Sequence, residues 1–175
     1  LWINRALPIG AKWGKSVKVA RHMLTIIMSD PRRLIVKLAT PLATIYYVVL
    51  HAPLGIHLVE ARTWYDEASG ICRQKKPGGA QTVVLIDANA RSPPHDTNAF
   101  GTLGANKPSP TTQDMATFAD ESGLWAPSTY AQFVDEGNEQ GRFHFSDTDP
   151  LTRIDYILVS SAVMPPAIVS RSIPH

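Results

Sequence analysis

The sequence predicts an α/β fold, a layered sandwich of strands and helices, and three observations predict it. Short β-branched and aromatic runs bounded by prolines alternate with two stretches of helical period. Fourteen prolines and eleven glycines punctuate the chain too often for a bundle of long helices. With 44% apolar and 18% charged residues, the 175 residues can bury the core of one ordinary domain and do not have the composition of a disordered chain. Strands and helices in alternation bury their apolar faces by stacking in layers.

Each element follows from local pattern. Leu34-Ile35-Val36-Lys37-Leu38 and Ala43-Thr44-Ile45-Tyr46-Tyr47-Val48-Val49-Leu50 lie between Pro31, Pro41 and Pro53 and read as two strands joined by a turn. The second is apolar on both faces, as a strand inside a layered sheet must be. From Ile56 to Cys72, Leu58, Val59, Arg62, Trp64, Tyr65, Ala68, Ile71 and Cys72 fall near a helical period, and Lys75-Lys76-Pro77-Gly78-Gly79 ends the helix. Gln81 to Ile86 is a further buried strand that runs straight into Asp87-Ala88-Asn89-Ala90-Arg91. Residues 92–112, rich in Pro, Gly, Asn, Ser and Thr, read as a long loop of the kind that carries function or is disordered. Asp114 to Leu124 supports a helix with Met115, Phe118, Ala119 and Leu124 on one face. Ser128-Thr129-Tyr130, Gly141 to Ser146 and Thr152 to Ser160 read as strands, the last buried on both faces except at Asp155. No internal repeat or low-complexity tract interrupts this order.

Composition excludes several classes of function. A single cysteine, Cys72, rules out an internal disulfide framework and a Cys-rich zinc site, and its place on the apolar helix face reads as packing. No apolar run approaches the roughly 18 residues of a membrane span. The start, Leu1-Trp2-Ile3-Asn4, has neither an initiator Met nor a signal-peptide pattern, so the chain reads as part of a larger domain. The formal charge is only +2, but it is unevenly spread: residues 1–50 hold eight Lys or Arg against Asp30 alone, a balance of +7, and the rest carry nine basic and fourteen acidic residues, −5. A basic front steers toward a polyanion, and an acidic back suits a divalent cation; solvated surface explains either equally well.

Chemistry concentrates where polar side chains end apolar strands. His51 directly follows Ile45 to Leu50, Asp87 and Asn89 follow Val83 to Ile86, and Asp155 is embedded in Arg153-Ile154-Asp155-Tyr156-Ile157-Leu158-Val159. A carboxylate in an apolar strand needs a cation, a His or several N–H donors. Asp87 and Asn89 are two apart, so an extended backbone puts both on one face at a strand end, where layered α/β proteins bind ligands. Taken singly, each also fits a structural role: a satisfied histidine, a turn in which Asp and Asn bond nearby backbone, an acid paired with Arg153. His57, His95 and His144 lack metal-ligand spacing and read as surface groups; Trp64 and Tyr65 read as core.

The three segments together, Val49 to Pro53, Val84 to Ala90 and Arg153 to Val159, resemble successive motifs of the endonuclease/exonuclease/phosphatase superfamily, the deoxyribonuclease I-like enzymes. Intervals of 36 residues from His51 to Asp87 and 68 from Asp87 to Asp155 fit, and Gly123 to Tyr130 resembles the segment entering the next strand. The nearest likeness is to endonuclease domains of non-LTR retrotransposons, strongest over residues 30–160 of a single partial domain, 1–175. It implies a layered α/β sandwich of the deoxyribonuclease I-like type, missing its first strands and last strand. It implies metal-dependent phosphodiester hydrolysis as the DNA endonuclease of a retroelement, with Mg²⁺ or Mn²⁺ as cofactor. The partner would be DNA or another phosphodiester rather than a membrane, and the location intracellular, nuclear for a retroelement product. By the same resemblance Asp87 orients the attacking water or takes its proton, and Asn89 holds a phosphate oxygen or metal-bound water, the two together serving the metal. His51 protonates the leaving oxygen, at a position where abasic-site and many retrotransposon enzymes use Tyr. Asp155 orients a histidine that contacts the scissile phosphate.

The departures carry expectations of their own. The family opens with a strand bearing Asn and a strand whose Glu is the principal metal ligand; before His51 the only acid is Asp30, in a Ser-Asp-Pro turn. The family closes on Ser-Asp-His, whereas this chain has Ser172-Ile173-Pro174-His175 with no Asp before the His; a chain-terminal residue is normally frayed, which leaves His175 as a displaced partner for Asp155 the lesser alternative. The usual Asp-Phe-Asn is here Asp-Ala-Asn, which keeps both polar groups. The expectation is a truncated middle of a nuclease domain, with weakened metal affinity, a sheet edge or face uncovered, and its status as an active enzyme open. Two other readings also stay open: the same fold acting on a phosphomonoester, lipid headgroup or nucleotide, and a non-catalytic remnant.

Overall fold

A computed structural model describes residues 8–12, 14–105, 107–134 and 153–161. Among the described residues eight strands and two α-helices follow in the order β1 (Pro8–Lys12), β2 (Lys15–Lys18), β3 (Leu24–Ser29), β4 (Arg33–Ala39), β5 (Thr44–His51), α1 (Leu58–Lys75), β6 (Gln81–Asp87), α2 (Thr112–Glu121), β7 (Leu124–Trp125) and β8 (Asp155–Ser160). β1 and β2 form a separate antiparallel hairpin, and the others build one six-stranded sheet in the order β3-β4-β5-β6-β8-β7. β4 and β5 are an antiparallel pair joined by a short turn, as read from the prolines around them. β5 and β6 run parallel, which requires a crossover, and α1 supplies it. The fold class is therefore the expected α/β, with a mixed sheet and helices layered on it.

Side-chain alternation explains why the helices pack where they do. Ile35, Val48, Val84 and Leu158 stand in register across four strands, none more than 2% exposed. Ala61, Trp64, Tyr65, Ala68 and Cys72 form the buried stripe of α1, and Met115, Phe118 and Ala119 that of α2; all except Ala61 belong to the same core as the sheet residues. Tyr65 meets Phe118 between the helices with ring centroids 6.1 Å apart. The opposite sheet face carries Val49, Leu85 and Ile157 in register. Ile157, expected to be buried, is 55% exposed because it alternates onto this second face, away from the helices.

Other expectations need correction. Ser128-Thr129-Tyr130 is not a strand: Pro127–Thr129 makes a 3-10 turn, in which Thr129 N–H bonds to Ala126 O and Tyr130 N–H to Pro127 O. Pro127 fixes a φ suited to such a turn and has no N–H for a ladder. The second helix stops at Glu121 rather than Leu124, because Gly123 takes φ +62 and releases the chain into β7. β1, β2 and β3 precede the first expected strand; β1 and β2 are short and carry lysines, and β3, Leu24–Ser29, has no apolar–polar alternation. The loop over 92–112 is pinned rather than loose. Thr112 Oγ1 donates to Arg91 O, Gly101 N–H donates to Thr129 Oγ1, and fully buried Phe100 meets the Tyr156 ring edge-on at 5.6 Å. Gly101 is required there, since a Cβ would collide with the Thr129 carbonyl. The strand expected over 141–146, and the residues Ser172 to His175, lie outside the described residues. Among the described residues no helix is long and apolar enough to cross a membrane.

Candidate active site

The sheet brings three of the four sequence-derived site residues into one row. Leu50 and Ile86 face the helices, so the next residues, His51 and Asp87, turn to the opposite face at the ends of β5 and β6. His51 is in register with Asp87, and Asp87 with Asp155, the first residue of β8. His51 Nε2 lies 3.6 Å from Asp87 Oδ2, with the two side chains 58% and 38% exposed. That is ion-pair range for a protonated imidazole and too long for a hydrogen bond, so both groups keep access to solvent and to a third molecule.

Asn89 reaches the site by a turn, not by extension. β6 ends at Asp87, and Asn89 adopts φ +46, a left-handed conformation that Asn tolerates better than most residues. The shared strand face expected for Asp87 and Asn89 is thus replaced by local hydrogen bonding. Asn89 N–H donates to Asp87 Oδ1 at 3.2 Å, and Asn89 Nδ2 donates to Ala52 O at 2.8 Å. The second bond ties the Asp-Ala-Asn turn to the residue after His51. Backbone bonds complete the link: Ala52 N–H to Asp87 O at 2.9 Å and Ala88 N–H to Ile154 O at 2.8 Å.

Two supporting residues were not singled out from sequence. Tyr65, buried on α1, donates its hydroxyl to Ala88 O at 2.6 Å, inside the Asp-Ala-Asn turn. Burial, reinforced by Tyr156, Asp114 and Asp87, drives its pKa far up, so it stays a neutral donor. Arg32, in the β3–β4 turn, accepts the His51 N–H on its carbonyl at 2.9 Å and so stands beside His51 in the same row. That turn is braced by Asp30, which accepts Arg32 N–H at 2.9 Å and Arg33 Nε at 2.8 Å. Counting back along the β4–β5 register from His51 would have found Arg32; Tyr65 carries no signal beyond its apolar surroundings.

Asp155 is half-buried, and the segment before it is fixed from below. Arg153 is buried, donates Nη1 to Ser128 O at 3.2 Å, and stands 5.9 Å over the Tyr156 ring. Desolvation lowers the Arg153 pKa, with Tyr156 opposing. Tyr156 in turn donates to Arg153 O at 3.0 Å, its pKa pushed up to about 12 by burial against the opposing Ser92 bonds and Arg153 charge. His57 and His95 are exposed, as expected, and Cys72 is buried with its thiol pKa raised by desolvation.

Asp87 and Asp155 are partners in the β6–β8 register, so both carboxylates stand at the same end of the sheet. Among the described residues no group of three His, Cys, Asp or Glu gathers closely enough to hold a metal ion by itself. The donors present, one or two carboxylates, fit Mg²⁺ only with phosphate oxygens and water filling its shell, which is how Mg²⁺ sites on phosphate substrates are commonly built.

No protein-family model and no curated protein matches this sequence. Solved structures do. The endonuclease domain of TRAS1, a telomere-specific non-LTR retrotransposon, is 16% identical, with 89% of this chain and 66% of that one covered at a TM-score of 0.49. Sphingomyelinase C from Streptomyces griseocarneus is 16% identical, covering 82% and 47% at a TM-score of 0.47. A β-hairpin deletion mutant of the β toxin from Staphylococcus aureus is 12% identical, covering 82% and 49% at 0.44. The chain thus spans about half the length of the last two and 66% of the first. Identities this low assign no residue.

Proposed function

We propose that the chain carries the phosphodiester-hydrolysing site of a DNA endonuclease of the retroelement type, assisted by a divalent metal. The supporting observation is the register of His51, Asp87 and Asp155 on three neighbouring strands, with Asn89 hydrogen-bonded to the first two segments. Asp87 accepts the proton of the attacking water, and His51, 3.6 Å from it, gives a proton to the leaving oxygen. Asn89, held by its Nδ2 on Ala52 O, keeps its Oδ1 as an acceptor at the rim. Arg32, exposed beside His51, offers a guanidinium to a non-bridging phosphate oxygen. Mg²⁺ or Mn²⁺, bound through Asp87 and the substrate, would offset charge developing on phosphorus. Nicking of supercoiled plasmid with Mg²⁺ tests the proposal directly. Nicking by the wild type and none by Asp87→Ala supports it, and equal nicking by both removes Asp87 from the chemistry. Release of phosphate from p-nitrophenyl phosphate, without nicking, would instead mark a phosphomonoesterase.

The absence of a three-ligand cluster among the described residues favours a second reading, a non-catalytic remnant of this fold. Calorimetric titration with Mg²⁺ separates the two: heat of binding near millimolar concentration supports the enzyme, and its absence with and without a phosphodiester supports the remnant.

A further inference from the structure

We infer that the β1–β2 hairpin is a second, non-catalytic contact for a DNA backbone, at the end of the sheet away from the candidate site; the inference deepens the phosphodiester reading above and rests on it. In the hairpin Lys12 pairs directly with Lys15 across the turn, and Lys18 pairs with Pro8. Lys15, Lys18 and the following Arg21 are exposed. No Asp or Glu occurs between residues 8 and 29. Among the described residues no carboxylate lies within ion-pair distance of Lys15, Lys18 or Arg21.

A hairpin whose exposed Lys15 and Lys18, with the neighbouring Arg21, have no carboxylate partner among the described residues has the charge complementary to a polyanion. The hairpin is docked, not dangling: Lys12 Nζ donates to Pro41 O at 2.8 Å, and Gly10 lies against Leu42, both in the β4–β5 turn. From that turn β5 runs Thr44 to His51, at about 3.3 Å per residue roughly 23 Å to the candidate site. That separation is about seven nucleotides at about 3.4 Å per step, so one duplex is long enough to reach both the candidate site and the hairpin. A small diester would reach only the first contact.

The test compares the wild type with a triple variant, Lys15→Gln, Lys18→Gln and Arg21→Gln, whose fold is checked by circular dichroism. A Lys15→Gln single variant serves if the triple does not fold. Binding to a mixed-sequence 25-base-pair duplex is measured against salt without divalent metal, and hydrolysis of bis(p-nitrophenyl) phosphate is measured with Mg²⁺. The expected result is a log–log salt slope shallower by about 0.9 per neutralised contact, two to three units for the triple, with small-diester hydrolysis unchanged. An unchanged slope, or wild-type binding only to anionic phospholipid vesicles, would overturn the inference. Absence of diester hydrolysis in the wild type, with duplex binding and its slope intact, would overturn the catalytic reading alone.

Discussion

At the scale of the residue, the site depends on one tripeptide turn held from three sides. Asp87 contributes a carboxylate half-open to solvent, so in the proposed function its loss removes a proton acceptor rather than core. Asp87→Ala should therefore lower plasmid nicking by about 10² to 10⁴-fold, with a stability change of about 1 kcal/mol from the lost Asn89 bond. Loss of the cooperative thermal transition in that variant would show that the residue is structural. Tyr65 acts one bond further out. Its hydroxyl is the side-chain donor to Ala88 O, so Tyr65→Phe leaves that buried carbonyl short of a partner. The expected cost is about 1–3 kcal/mol in denaturant unfolding. Nicking should fall about 10–100-fold, mainly in kcat, because Asn89 and Asp87 lose their fixed orientation. Full activity in a destabilised Tyr65→Phe protein would limit Tyr65 to packing.

At the scale of the element, adjacent residues of one strand separate core from open face. Leu158 on β8 is fully buried in register with Val84, while Ile157 is 55% exposed. Leu158→Ala should cost about 2–5 kcal/mol and Ile157→Ala less than about 1 kcal/mol; similar losses in urea titrations would mean that the second face is covered. The β3–β4 turn adds a pH dependence. Burial works against ionised Asp30, but hydrogen bonds from Arg32 and Arg33 and the Arg33 charge outweigh it, and its pKa is lowered. A carboxyl with a depressed folded-state pKa stabilises the fold fully above its unfolded value, near pH 3.9, and that stabilisation is lost as the pH falls through the folded value below it. Asp30→Asn should thus flatten the loss of stability below about pH 4, measured by urea midpoints; a decline as steep as that of the wild type would exclude this turn as an acid-labile point.

At the scale of the whole molecule, the proposed function and the proposed backbone contact lie at the two ends of one sheet. The strand ends at His51, Asp87 and Asp155 collect the acid–base groups, and the opposite end carries the cationic hairpin. The uneven charge of the sequence, +7 over residues 1–50, is in part this hairpin and in part the Arg32-Arg33 turn next to the site. On the second face Ile157 and Ile26 are exposed, the latter 69%, while Val36 and Val159 are buried.

By itself the sequence determined the elements whose period is strong: β4, β5, α1, β6, α2 and β8 all follow from spacing, because burial on one side forces a repeat of two or near 3.6 residues. It also marked His51, Asp87, Asn89 and Asp155, since a polar side chain ending an apolar strand is visible without coordinates. Only the tertiary structure decided how they meet. Register across parallel and antiparallel partners aligned His51, Asp87 and Asp155, the last two 68 positions apart. The left-handed Asn89, the Tyr65 bond to Ala88 and the placing of Arg32 beside His51 likewise depend on backbone brought together from distant segments, and no local pattern encodes such a meeting.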